Sequence, residues 1–249
     1  MNSILHPPDV SDTIISTYSN INSNLSYLSF EKKPSYTQFI LPAVLISYGV
    51  IAQNCNFLKK FDRSTHKEVE RHFTKTTHID DFLLFVPITA VYGLDFSGLA
   101  KAKHNFRDRA IVTATTYIIV GATVVTLKKT INRTRPDGTD RASFPSGHTA
   151  STFAGAHILF KEYEDTSPWI GIAGYATATL TGTLRVINKK HWVSDVVTGA
   201  GIGIISAELG YLLLPVFQNI LGIENKNKNF AIAPIINKNN YGIGLSYQF

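Results

Sequence analysis

Cysteine is almost absent: Cys55 is the only one in 249 residues. A single thiol excludes an intrachain disulfide and a thiolate metal cluster, and it leaves the redox compartment open. Charge is also scarce. Charged residues make up 17% of the chain, against about a quarter in a typical soluble domain, while hydrophobic residues reach 44%. That balance favours burial or contact with lipid. The opening "MNSILHPPDVSDTIIS" lacks a basic stretch followed by an apolar one, so no N-terminal signal peptide is read there. Either the numbering omits a cleaved leader or an internal apolar segment does the targeting. No repeat of fixed period is present.

The charge that is present leans to one sign. A net charge of +6 and a pI near 9.3 suit an anionic partner, whether a phosphorylated small molecule, an anionic lipid or a nucleic acid. Residues 1–36 are polar, rich in Ser and Asn, and read as an N-terminal arm. Six apolar segments follow, at roughly 38–57, 82–100, 110–127, 147–160, 168–184 and 196–217. Their length and lack of alternation predict helices. The expected fold is therefore all-α, a bundle of about six core helices over residues 37–220, with a tail at 221–249. A membrane span needs about 20 apolar residues. Four or five segments nearly qualify, and the fourth is short. An integral membrane bundle and a soluble or peripheral one both stay open. If all six cross, the basic residues divide too evenly between the faces for charge to set the orientation. In the tail, "YGIGLSYQF" alternates strictly and follows "NFAIAPII" and "NKNN". This predicts a β-hairpin with an Asn-rich turn.

Three polar stretches lie at the ends of apolar segments. In "KKTINRTRP", Lys128 and Arg135 are two helical turns apart and share a face if the helix continues that far, after which Pro136 ends it. Two such cations are also an ordinary solvated helix end. In "FPSGHTAS", Ser146, Gly147 and His148 open a helix whose unpaired N–H groups and dipole favour an anion. The plainer reading is a serine cap beside a bystander histidine. In "RVINKKHWVSD", Arg185 closes the fifth segment, and His191 and Asp195 stand four residues apart on one helical face. A carboxylate that holds one imidazole nitrogen leaves the other basic. A salt-linked histidine at a helix start is the alternative. With six spans the intervening loops share one face, which gathers Lys128, Arg135, Ser146, His148, Arg185, His191 and Asp195 around one pocket. Phosphoryl transfer needs neutralised equatorial oxygens, an in-line nucleophile and an acid for the leaving oxygen, and this set fills each role without a metal.

The combined pattern resembles the type 2 phosphatidic acid phosphatase (PAP2) superfamily, which includes class A acid phosphatases and vanadium haloperoxidases. The matching motifs are Lys128 to Arg135-Pro136, then Pro145-Ser146-Gly147-His148, then Arg185 to His191 to Asp195. The resemblance covers roughly residues 80–217. It implies that Lys128, Arg135 and Arg185 clamp phosphate oxygens with Ser146 and the Gly147 amide. It implies that His191 is the nucleophile and forms a phosphohistidine, that Asp195 sets its tautomer, and that His148 protonates the leaving alcohol. Water then hydrolyses the intermediate. One position departs: Leu184 stands where the family usually has Ser. The missing neutral hydrogen bond costs about 1 kcal/mol, enough to retune affinity but not to abolish activity.

The expected activity is hydrolysis of a phosphate monoester or pyrophosphate, with no cofactor. The apolar helices favour a lipid substrate such as phosphatidate, phosphatidylglycerophosphate, polyprenyl pyrophosphate or the lipid A phosphates. The expected setting is a bacterial envelope membrane with the site facing the extracytoplasmic side. A soluble periplasmic acid phosphatase, a vanadate haloperoxidase and a non-catalytic anion- or lipid-binding module are the alternatives. Nucleic-acid binding is not expected, because the basic residues cluster at helix ends and no recognition motif appears. No protein partner is evident.

Overall fold

A computed structural model describes residues 36–222 and the backbone of two further strands. A 3₁₀ turn (Tyr36–Phe39) leads into α1 (Ile40–Ala52), followed by α2 (Asn56–His72), α3 (Ile79–Leu83) and α4 (Val86–Phe96). The longer helices are α5 (Phe106–Ile131), α6 (Gly147–Tyr163), α7 (Pro168–Ile187) and α8 (Val193–Ile220). Residues 36–222 form an all-α bundle. The first 35 residues of the polar arm lie outside the described residues.

Helix α6 is the hub and packs against α4, α5, α7 and α8, while α1 and α5 cover α8. Its inward residues are mostly small: Ala150, Ala154 and Ala156 are fully buried, beside Ile158 and Leu159. Small side chains let helix axes approach closely. Gly199 and Gly203 of α8 do the same from the other side, since a Cβ at either would run into the α6 backbone.

Several segment readings change. The stretch 58–81, which lies between the first two apolar segments, holds most of α2 and most of α3. Helix α2 is amphipathic and charged, so a search for apolar runs passes over it; it buries only Asp62 and Val69. The segment 82–100 divides: α3 ends at Leu83, and α4 begins at Val86 with Pro87 in its first turn, where a missing N–H costs nothing. Helix α6 runs 17 residues, longer than its apolar stretch.

Among the described residues, two helices have the length and apolarity to cross a bilayer: α5, with 26 residues and mean hydropathy 1.9, and α8, with 28 residues and mean hydropathy 1.7. At 1.5 Å per residue α5 extends about 39 Å, more than a hydrocarbon core of about 30 Å. A third becomes possible if the 3₁₀ turn with α1 and then α2, which bend by 90° at their junction, count as one span. Helix α4 has 11 residues and α6 has 17, both too short. Helix α7 is long enough, but its Gly and Thr residues and Arg185 dilute its hydropathy. Ile118 and Val125 of α5 and Leu212 and Ile220 of α8 face outward, as residues in contact with lipid do.

In the tail, β1 (Phe230–Asn237) and β2 (Asn240–Tyr247) pair antiparallel, with Phe230 opposite Tyr247 and Asn237 opposite Asn240. The expected turn at 238–239 and the terminal Phe249 lie outside the described residues.

Candidate active site

The site is built where α5 ends, α6 begins, and α7 hands over to α8. Helix α5 stops at Ile131 because Asn132 adopts the left-handed conformation (φ 50°, ψ 43°), a common C-terminal cap for asparagine. Lys128 and Arg135 therefore do not share one continuous helical face, as the sequence spacing suggested. Lys128 is on the last helical turn, where Nζ donates to the carbonyl of Ala142. Arg135 is in the following loop, and its Nε donates to Asp140 Oδ1 at 2.8 Å. The two cations are still close enough to feel each other, along with Arg185 and Asp195.

Ser146 caps α6. Its hydroxyl is fully buried, lies 2.8 Å from Thr149 Oγ1 and accepts from the Thr149 N–H at 3.4 Å. Gly147 follows as the first helical residue. His148, next along, is half-buried, and its Nε2 lies 2.9 Å from Asp81 Oδ1. A carboxylate only accepts, so Nε2 carries the proton. Burial pushes the His148 pKa below the ordinary imidazole value and the Arg185 charge adds to this, while the bond to Asp81 opposes both. The same bond, the largest influence on Asp81, holds that carboxyl below the usual range.

Arg185 stands in the last turn of α7, 8% exposed, and its Nη1 donates to Asp80 Oδ2 at 2.6 Å. Asp81 Oδ1 is 3.7 Å from the same nitrogen. Asn188 locks Asp80 from the other side, with Nδ2 donating to Asp80 Oδ1 at 3.0 Å and to the Thr77 carbonyl at 2.7 Å. Leu184, half-buried on α7, offers no hydroxyl here.

His191 is 2% exposed. It precedes α8 instead of lying within it, because the helix begins at Val193 with Trp192 as its N-cap. Its Nδ1–H donates to the Ser143 carbonyl at 2.7 Å. Asp195 Oδ2 is 3.8 Å from that nitrogen, beyond hydrogen-bond range. The tautomer is thus fixed by a backbone carbonyl, and Asp195 acts at one remove. Asp195 Oδ2 accepts from Ser143 Oγ at 2.5 Å and from the Trp192 N–H at 3.0 Å. Its other oxygen accepts from Arg133 Nη1 at 2.6 Å. Burial lowers the His191 pKa and outweighs the nearby Asp195 carboxylate, so the imidazole is held neutral.

Reading the sequence missed several neighbours. Arg133, two residues before the motif arginine, also reaches Asp62 Oδ2 at 2.8 Å, and Asp62 in turn accepts from the Ser194 N–H and hydroxyl. Asp62, Asp80 and Asp81 come from α2 and α3, far back in the chain, and no local spacing tied them to the motifs. The pocket is therefore less purely cationic than the motifs implied. Among the described residues, no group of three or more His, Cys, Asp and Glu side chains could hold a metal ion.

Comparison with known proteins fits this constellation. Residues 109–218 match the PAP2 superfamily. That stretch carries all three motifs; the match ends before β1 and does not extend to the hairpin. Over 151 residues the chain is 39% identical to the lipid A 1-phosphatase of Porphyromonas gingivalis. The alignment takes in 60% of this chain and 34% of that protein, so the chain spans about a third of the length of this curated relative. Two crystal structures are similar. One is LpxE of Aquifex aeolicus, at 21% identity and TM-score 0.45, covering 61% of this chain and 93% of that one. The other is a transmembrane PAP2 type phosphatidylglycerolphosphate phosphatase from Bacillus subtilis, at 20% identity and TM-score 0.49, covering 77% and 99%.

Proposed function

We propose that the protein is a metal-independent lipid phosphatase that works through a phosphohistidine on His191. One observation carries this reading: the Nδ1–H of a buried, neutral His191 is committed to the Ser143 carbonyl at 2.7 Å, which leaves an unprotonated Nε2 lone pair. That lone pair attacks phosphorus and forms the N–P bond as the P–O bond to the lipid breaks. The leaving oxygen takes a proton from protonated His148. Water then attacks the phosphohistidine, gives a proton back to His148, and releases inorganic phosphate with His191 restored. Lys128, Arg135 and Arg185 neutralise the equatorial oxygens, with Ser146 and the Gly147 amide completing the cradle.

The substrate class follows from the outward apolar faces of α5 and α8 and from the relative at 39% identity, which makes the 1-phosphate of lipid A the first candidate. The same reading places the protein in a bacterial envelope membrane with the site on the extracytoplasmic side. A cysteine at exposed Arg141, in a Cys55→Ser background, would then react with a membrane-impermeant maleimide in intact cells.

The activity is tested by phosphate release from lipid A, phosphatidate, phosphatidylglycerophosphate and polyprenyl pyrophosphate, with the purified chain in detergent. Turnover on at least one is expected, abolished in His191→Ala, inhibited by orthovanadate and unaffected by EDTA. Full turnover in His191→Ala, or activity that chelation removes and Mg²⁺ restores, would overturn the mechanism.

A further inference from the structure

The proposed chemistry needs His148 to be protonated when the leaving oxygen departs, yet its surroundings work against that. The charged and titratable groups facing it are Arg185 from α7 and Asp80 and Asp81 from α3. Asp80 is already committed to Arg185 and Asn188. Asp81 is the carboxylate in direct contact with the ring, at 2.9 Å from Nε2. Behind it stands His78, whose Nδ1 is 3.5 Å from Asp81 Oδ2 on the exposed side.

We propose that Asp81 is a positioning residue for the general acid: by holding the Nε2–H of His148 it turns Nδ1 toward the leaving oxygen and keeps the ring able to carry a second proton. The inference rests on the phosphatase reading above and adds a residue that lies outside the three motifs, on a helix of only five residues. In the first step Nδ1–H passes its proton to the ester oxygen as the P–O bond breaks. His148 becomes neutral and keeps its Nε2–H on Asp81. In the second step the attacking water returns a proton to Nδ1. Asp81 itself neither gains nor loses a proton. Its charge opposes burial and Arg185, which both favour neutral His148.

A leaving group's need for acid help falls as its own acidity rises, and this separates a positioning role from a structural one. Asp81→Asn and Asp81→Glu are compared with wild type on p-nitrophenyl phosphate, whose leaving group departs readily, and on a simple alkyl phosphate, whose leaving group does not. In Asp81→Asn, kcat on the alkyl ester should fall tenfold or more and kcat on the nitrophenyl ester less than about threefold. The alkaline limb of the pH profile should move to lower pH by about one unit, and Asp81→Glu should recover most of the loss. Equal losses on both substrates with an unmoved alkaline limb would overturn the proposal. So would a rise in KM alone on both, which would mean that Asp81 acts through Arg185, 3.7 Å away. His191→Ala, run in parallel, separates the two levels: residual turnover there sinks the phosphohistidine reading itself, whereas loss there with Asp81→Asn unaffected sinks only the role of Asp81.

Discussion

Arg133 Nη1 donates to Asp195 Oδ1 at 2.6 Å, while the His191 ring lies 3.8 Å from the other oxygen of the same carboxylate. The acid that the motif pairs with histidine thus has its counter-charge in an arginine outside the motif. Asp195 is fully buried and Asp62, the second partner of Arg133, is 2% exposed. Removing the guanidinium leaves two buried carboxylates without a counter-charge. Breaking a buried pair in this way typically costs about 3–5 kcal/mol. Arg133→Gln should therefore unfold at clearly lower temperature in detergent and lose most activity, because Asp195 positions Ser143, whose carbonyl orients His191. A melting curve and a turnover rate both close to wild type would show that the three-residue cluster is dispensable.

In the proposed mechanism the two histidines would set an acidic pH optimum. His191 must be neutral to attack, and burial favours its neutral form. His148 must be protonated to assist the leaving group, and its pKa is lowered by burial and by Arg185. Activity therefore requires a pH above one depressed value and below another. In kcat/KM, which reports the free enzyme, the alkaline limb should fall below about pH 6.5, the ordinary imidazole value. A profile flat to pH 8 would mean that His148 is not the acid.

How much of this was legible in the sequence depends on how far apart in the chain the partners lie. Lys128, Ser146, His148, Arg185 and His191 could be named because each sits at the border of an apolar run, where a polar residue stands out. Five of the six apolar segments could be placed to within a few residues, and only 82–100 divided. Helix α2 was invisible for the opposite reason: in "NFLKKFDRSTHKEVERH" charge dominates, and the two residues it buries do not mark a run. Asp62, Asp80 and Asp81 reach the site only through tertiary packing, so no spacing rule points to them. His191 and Asp195 do come within 3.8 Å, but the i, i+4 rule assumes a continuous helix, and because His191 precedes the first turn its Nδ1–H goes to the Ser143 carbonyl instead. The membrane question turned on helix length for α4 and α6 and on composition for α7, whose length alone does not reveal how far Gly and Thr dilute it.

Close approach of α6 and α8 supports the site from behind. A Cβ placed on Gly199 would lie 2.6 Å from the Ser146 carbonyl and 3.1 Å from Thr149 Cβ. The obstacle is backbone and cannot swing aside. Gly199→Ala should push α8 away from the capped start of α6, lowering both thermal stability and turnover, by about 1–3 kcal/mol in stability. Gly93→Ala is the control: a Cβ there meets nothing within 4 Å, so it should be neutral or slightly stabilising. Equal behaviour of the two variants would show that the helices have room to part.

At the far end of α6 a second pair makes stability depend on pH. His104 Nδ1 lies 2.9 Å from Glu162 Oε1, and its backbone N–H donates to Oε2 of the same carboxylate at 3.0 Å. Tyr211 adds a third hydrogen bond to Glu162 at 2.7 Å. The bond to Glu162 raises the His104 pKa above its ordinary 6.5 and outweighs burial. For Glu162, burial alone would raise the pKa, but the bonds from His104 and Tyr211 bring it below its ordinary 4.5. A histidine raised in the folded state binds more proton there than in the unfolded chain. Its contribution is fully present below about pH 6.5 and is lost as pH rises through the folded value. The carboxylate works the other way: its contribution is present above its unfolded value and is lost as pH falls. The two overlap between about pH 5 and 6.5, where both groups carry charge. Unfolding of wild type and His104→Gln, followed in detergent from pH 5 to 9, should show a gap that is widest near pH 5.5 and narrows as pH climbs past the folded His104 value. A gap of constant width would mean that His104 contributes through its neutral hydrogen bond alone.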